Sequence, residues 1–135
     1  MPIFSPDLID IKILEALQAN GWITIQGLAD QVGLSPSPCL RRVRHLESEG
    51  VISRYVALVD PEALDLNVTA FVRVRLDQQD DRHLEAFEAA IAGFPEVMEC
   101  YLMTGDSDYL IRVAVADIGA LEEFILNQLT PIPGI

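Results

Sequence analysis

Apolar positions in the first third of the chain recur at three- and four-residue spacing. Ile9, Ile13, Ala16 and Leu17 form one stripe, with Leu14 widening it. Asp7 stands at the start of this run as a capping residue, Asp10 places an acid in the first turn, and Asn20-Gly21 ends it. Thr24 then caps a short second helix whose apolar side is Leu28, Ala29 and Val32, with Gly33 as its stop. Only Gly33-Leu34 separates it from a third segment, capped by Ser35 and opened by Pro36 at the first helical position. This segment is expected to run to about Glu49 before Gly50. Helix, tight glycine turn and helix outline a helix-turn-helix unit.

The period changes to two further along. Val51 to Val59 has strand character, and Asp60-Pro61 ends it. From Asn67 to Leu76, Val68, Ala70, Val72, Val74 and Leu76 alternate with Thr69, Phe71, Arg73 and Arg75. Arg82 to Phe94 reads as a helix through Leu84, Phe87 and Ile91. Two strands, about Val97 to Thr104 and Asp108 to Ala116, flank the turn residues Gly105-Asp106-Ser107. Ala120 to Leu129 is a last helix, with Leu121, Phe124 and Ile125 inward. The reading is α+β: a helix-turn-helix domain with a linker strand over 1–60, then a ferredoxin-like βαββα(β) domain over 61–135. Alternation places Val97, Tyr101 and Met103 on one face of the hairpin and Met98, Cys100 and Leu102 on the other. Two helices cover one sheet face, so the second apolar face predicts self-association.

Composition separates the halves. Half of the 135 residues are hydrophobic and 22% are charged, which is globular composition. The formal charge is −12, divided as −2 over residues 1–60 and −10 over residues 61–135. Yet Arg41, Arg42 and Arg44 crowd into the third helix. At about 100° per residue, Cys39, Val43 and Leu46 face the core, with Leu40 beside them. Ser37, Arg41, Arg44, His45 and Ser48 face away, and Arg42 lies at the border, within reach of acids such as Glu49. A charged helix face is usually only solvated. After a tight turn and in an acid-rich chain, this one is better read as a DNA contact. Ser35, Ser37 and Pro38 would lie at the groove end, and Arg41, Arg42 and Arg44 would meet bases or phosphates of double-stranded DNA.

Catalysis is not indicated. No nucleophile elbow, phosphate loop or metal-ligand spacing is present, His45 and His83 are isolated, and no cofactor or metal is expected. Cys39 and Cys100 lie far apart and read as reduced thiols. No apolar run approaches a membrane span and no secretory signal is visible, so a cytoplasmic protein is expected.

The stretches DIKILEALQANG, GLSPSPCLRRVRHLESEGVISRY, VDPEALDLNVTAFVRVRL and PEVMECYLMTGDSDYLIRV occur in this order and together span nearly the whole chain. They resemble the Lrp/AsnC ("feast/famine") family of bacterial transcription regulators. The resemblance implies a DNA-binding first half. It also implies a second half that binds a small effector, usually an amino acid, and that forms homodimers and larger assemblies. It further implies an effector pocket lined by the turn TGDSDY: Thr104, Gly105, Asp106 and Asp108, with Tyr101, Leu102 and Met103 as apolar walls. On spacing alone those turn residues are ordinary for a hairpin. Family members normally continue past PGI with a final strand, so the chain is expected to be truncated. Two other functions fit the residues: an amino-acid-sensing subunit that acts on a protein partner, and an architectural DNA-compacting protein.

Overall fold

The computed structural model describes residues 4–135 and divides into two compact units, Met1–Leu58 and Val59–Ile135.

The first unit holds three helices, α1 (Leu8–Ala19), α2 (Ile25–Val32) and α3 (Pro36–Ser48). Asp7 caps α1 in a reciprocal box: its carboxylate accepts from the Asp10 amide at 2.8 Å, and the Asp10 carboxylate accepts from the Asp7 amide at 3.1 Å. Thr24 accepts from the Gly27 amide at the start of α2. Gly33 ends α2 with φ 77°, a left-handed conformation that costs a side chain strain, and this lets α3 begin three residues later. Ile13, Leu28, Ala29, Cys39, Val43 and Leu46 form the core, each at most 5% exposed.

One cross-link in this unit departs from expectation. Arg42 does not pair with Glu49. Its Nη1 donates to both carboxylate oxygens of Asp7, at 2.9 and 2.7 Å, and to Asp10 at 3.0 Å. The same two acids form the capping box, so Arg42 ties the start of α1 to the middle of α3. The guanidinium, helped by the Asp10 amide, holds the Asp7 carboxyl below its ordinary value of 3.8. The folded state therefore releases this proton more readily than the unfolded chain. The clamp contributes stability above the ordinary aspartate value and loses it as pH falls through the lower folded value. Acid unfolding followed by circular dichroism should show wild type more stable than Arg42→Ala at neutral pH, and the two curves converging in acid. A constant separation down to the lowest pH contradicts the clamp.

The second unit carries β1 (Val68–Val74), α4 (Asp81–Ala92), β2 (Val97–Leu102), β3 (Tyr109–Val115) and α5 (Ile118–Phe124). A single 3-10 turn, Pro61–Leu64, precedes β1, and a π-helical turn, Ile125–Leu129, extends α5. Asp80 and Asp117 cap α4 and α5 through the amides of His83 and Ala120. The sheet is antiparallel in the order β1-β3-β2, which is the ferredoxin-like arrangement of these strands. Phe87 and Ile91 of α4, with Phe124 and Leu129, cover Val74, Tyr109, Ile111 and Val113 on one face.

Two strand expectations are corrected. Residues 51–59 form no strand: Ser53 to Val59 make no backbone hydrogen bond to any described residue. Strand pairing needs a partner, and these residues have none among the described residues. The facing of β2 also changes. Pairing with β3 shifts between Val97 and Glu99, an irregularity that places Val97 with Cys100 and Leu102 on the helix-covered side. The other face is consequently mixed rather than uniformly apolar. Phe71, Tyr101, Leu110 and Ala114 share it with the ion pair Arg112–Glu99, whose N–O distance is 2.8 Å.

Cys39 is buried and Cys100 exposed, and neither forms a disulfide. Among the described residues, no helix is long and apolar enough to cross a membrane.

Candidate functional site

The chemistry of α3 follows from its two sides. Cys39, Val43 and Leu46 are inserted in the core, which fixes the helix rotation. Arg41, Arg44, His45, Ser35 and Ser37 are then left exposed, and Pro38 and Arg42 half-buried. The Ser35 side chain makes no capping bond. Both hydroxyls at the start of the helix are therefore accessible, beside amides that a helix N-terminus leaves without intrahelical partners. A cleft of about 510 Å3 lined by Asp10, Pro38, Arg41, Arg42 and His45 runs along this side. The His45 ring packs edge-on against Phe4, with centroids 4.5 Å apart. The Ser48 hydroxyl donates to the His45 carbonyl of its own helix.

The three arginines are thus not equivalent. Arg42 neutralises two carboxylates of α1, whereas Arg41 and Arg44 have no ion-pair partner among the described residues. Sequence spacing placed Arg42 at the border of the exposed face but could not name Asp7 and Asp10, which lie in a different helix.

In the second unit, the turn between β2 and β3 is held at its base by the Met103 amide, which donates to the Asp108 carbonyl at 2.8 Å. Gly105 has φ 102°, and a Cβ built there meets nothing within 4 Å, so conformation rather than space calls for glycine. The two aspartates differ. Asp106 is exposed. The Asp108 Oδ2 accepts from the Leu76 amide at 2.7 Å and from Gln79 Nε2 at 3.4 Å, and the Asp108 amide donates to the Val74 carbonyl. Asp108 thereby ties the start of β3 to the end of β1, a role invisible in the motif.

The expected walls do not share one pocket within the chain. Tyr101 lies on the open face, where its hydroxyl donates to Glu99 at 2.7 Å. Arg112 and that hydroxyl hold the Glu99 carboxyl down at about 2. Leu102 lies on the helix side and lines a cleft of about 500 Å3 with Glu88, Ile91, Met98, Cys100 and Tyr109. Its floor is the Tyr109 hydroxyl, which donates to Glu88 at 2.6 Å; burial, then this bond, pushes the phenol pKa up. Sequence reasoning missed Glu88, although its position one residue after the core-facing Phe87 marks the helix edge nearest the sheet. No group of acidic, histidine or cysteine side chains among the described residues has the arrangement to hold a metal ion.

Comparison with known proteins matches both units. Residues 6–53 fit the winged helix-turn-helix DNA-binding model, and residues 69–135 fit the Lrp/AsnC ligand binding domain. The Bkd operon transcriptional regulator of Pseudomonas aeruginosa is 47% identical over 129 residues, covering 96% of this chain and 84% of that protein. The leucine-responsive regulatory protein of Haemophilus influenzae is 44% identical, covering 96% and 78%. Among solved structures, a transcriptional regulator from Neisseria meningitidis in complex with L-Met superposes with a TM-score of 0.90 at 41% identity, covering 96% of this chain and 84% of that one. With a helix-turn-helix whose α3 presents free arginines, a ferredoxin-like ligand-binding domain and relatives of this closeness, the chain belongs to the Lrp/AsnC family of transcription regulators.

Proposed function

We propose that this protein is a sequence-specific DNA-binding regulator, working in the cytoplasm as a homodimer or larger assembly, whose DNA binding responds to an amino acid. The carrying observation is the exposed side of α3, where Arg41 and Arg44 stand free beside the hydroxyls of Ser35 and Ser37. In this reading Ser35, Ser37 and Pro38 approach the groove, Arg41 and Arg44 meet bases or phosphates, and Arg42 chiefly holds α3 in place, with its remaining N–H groups free for a phosphate. An architectural role without sequence preference, or docking on a protein partner, is less favoured. The exposed side of α3 offers guanidiniums and hydroxyls rather than aromatics or aliphatics.

The effector reading rests on the family's ligand-binding domain and on the L-Met bound to the Neisseria relative. In our reading the turn supplies Thr104, the amides about Gly105 and the Asp106 carboxylate to an amino acid's charged ends. Asp108 shapes that turn. Tyr101, Leu102 and Met103 contribute apolar surface, Tyr101 and Leu102 from opposite faces of β2, which suits a site completed by a second subunit. The sheet face bearing Phe71, Tyr101 and Leu110 is the proposed dimer surface.

The test is selection of bound fragments from random genomic DNA, with and without a panel of amino acids, followed by titration of the best pair. Effector coupling of this kind typically amounts to about 1–3 kcal/mol and is reciprocal, so DNA shifts effector affinity by the same factor. Asp106→Ala should lose the effector response and keep effector-free DNA binding. A normal response places the site elsewhere. A bound pool without any enriched sequence contradicts the sequence-specific reading.

A further inference from the structure

Trp22 is the single tryptophan of the chain and is 94% exposed. Tryptophan is highly buried on average, so an indole left in water calls for a partner. The backbone that carries it is fixed. The Trp22 amide donates to Asn20 Oδ1 at 3.0 Å, and the Ile23 amide donates to the Asn20 carbonyl at 3.3 Å. The Tyr55 ring lies over Gly21, where an added Cβ would stand 3.6 Å from its Cδ1. The turn between α1 and α2 is thus tied down while its indole projects into solvent.

The place of Trp22 in the helix-turn-helix says what that partner is. It lies two residues before Thr24, the cap of α2. The far end of α2 leads through Gly33-Leu34 to the start of α3, the end of a recognition helix that enters the major groove. α2 has eight residues and is about 12 Å long, close to the width of that groove, about 12 Å. The start of α2 therefore falls beside the phosphate backbone that borders the groove, where the first helix of such a unit crosses. Charge agrees with this placement. Residues 16–29 contain no charged side chain, so in a chain of net charge −12 this stretch is clear of carboxylates that repel phosphate. Its exposed side chains Gln18, Asn20 and Gln26 are polar and neutral.

We propose that Trp22 is a further DNA contact of this regulator: its indole ring lies against a deoxyribose at the rim of the groove that α3 enters, and its Nε1–H donates to the adjacent phosphate. The inference rests on the DNA-binding reading of α3 and extends it by a contact without charge. A neutral indole releases no counterion. It adds affinity for any sequence, fixes how α2 sits on the backbone, and leaves the salt dependence to the arginines.

The experiment uses the full chain, whose one indole is the reporter. DNA binding is scored independently by the anisotropy of labelled fragments, one preferred and one unrelated. Saturating DNA should shift the Trp22 emission and shield it from acrylamide. Trp22→Ala should weaken binding to both fragments by the same factor, about two- to tenfold, with an unchanged salt slope. Trp22→Arg should recover that affinity and steepen the slope by about one unit, because it adds one phosphate contact that releases a counterion. Emission and quenching unchanged at saturating DNA, or a wild-type salt slope in Trp22→Arg, overturns the contact and leaves the reading of α3 intact. Failure to bind either fragment overturns both. An emission shift that follows protein concentration in the absence of DNA assigns the indole to a contact between copies, and overturns the proposal in that way.

Discussion

Replacing Arg41 and Arg44 together by alanine should nearly abolish specific DNA binding while leaving the fold intact. Both side chains are exposed and neither takes part in an ion pair among the described residues, so their removal leaves no orphaned charge. A base-reading arginine is worth about 1–3 kcal/mol. The pair should therefore cost roughly thirty-fold to twenty-thousand-fold in affinity if the two add. Titrating a preferred and an unrelated fragment at two salt concentrations separates the roles. A loss confined to the preferred fragment assigns base reading. A uniform loss with a shallower salt slope assigns phosphate contact. Unchanged affinity for both fragments would remove α3 from the DNA interface altogether.

Leu28→Ala should unfold the DNA-binding unit selectively. Leu28 is fully buried, and such truncations cost about 2–5 kcal/mol. A unit of this size has a total stability of only about 3–9 kcal/mol. The core of the second unit contains no residue of the first. Circular dichroism should lose the helical signal of α1 to α3, DNA binding should vanish, and the β-rich unit should keep its own thermal transition. A single, cooperative loss of both units would show that they do not fold independently.

Local signals carried most of the fold. Asp7, Thr24 and Gly33 stand where the helix ends fall, because capping is decided within three or four residues. The alternation from Val68 to Val74 likewise became β1. Features set by distant partners were not legible. Val51 to Val59 has strand composition, but pairing depends on a neighbour that residue types alone do not reveal. The irregularity between Val97 and Glu99 reverses the facing of Val97, and alternation carries no sign of it. At the candidate site, the turn residues and α3 arginines were readable as types at positions. The engagement of Arg42 by Asp7 and Asp10, and of Asp108 by the Leu76 amide, spans more than thirty residues and appears only in three dimensions.

The Arg42 clamp has a bearing on how such a regulator searches a genome. With one of the three guanidiniums of α3 largely committed to holding α1, the helix presents few cations to the phosphate backbone, and the rest of a chain of net charge −12 repels it. Weak grip on arbitrary DNA means short residence at wrong sites and little titration by the vast excess of competing sequence. In the proposed homodimer, occupancy of a true operator then depends on both reading heads engaging at once. The second head acts at the effective concentration set by its link to the first. An effector that changes how copies are joined would in this way control binding without touching a single base contact.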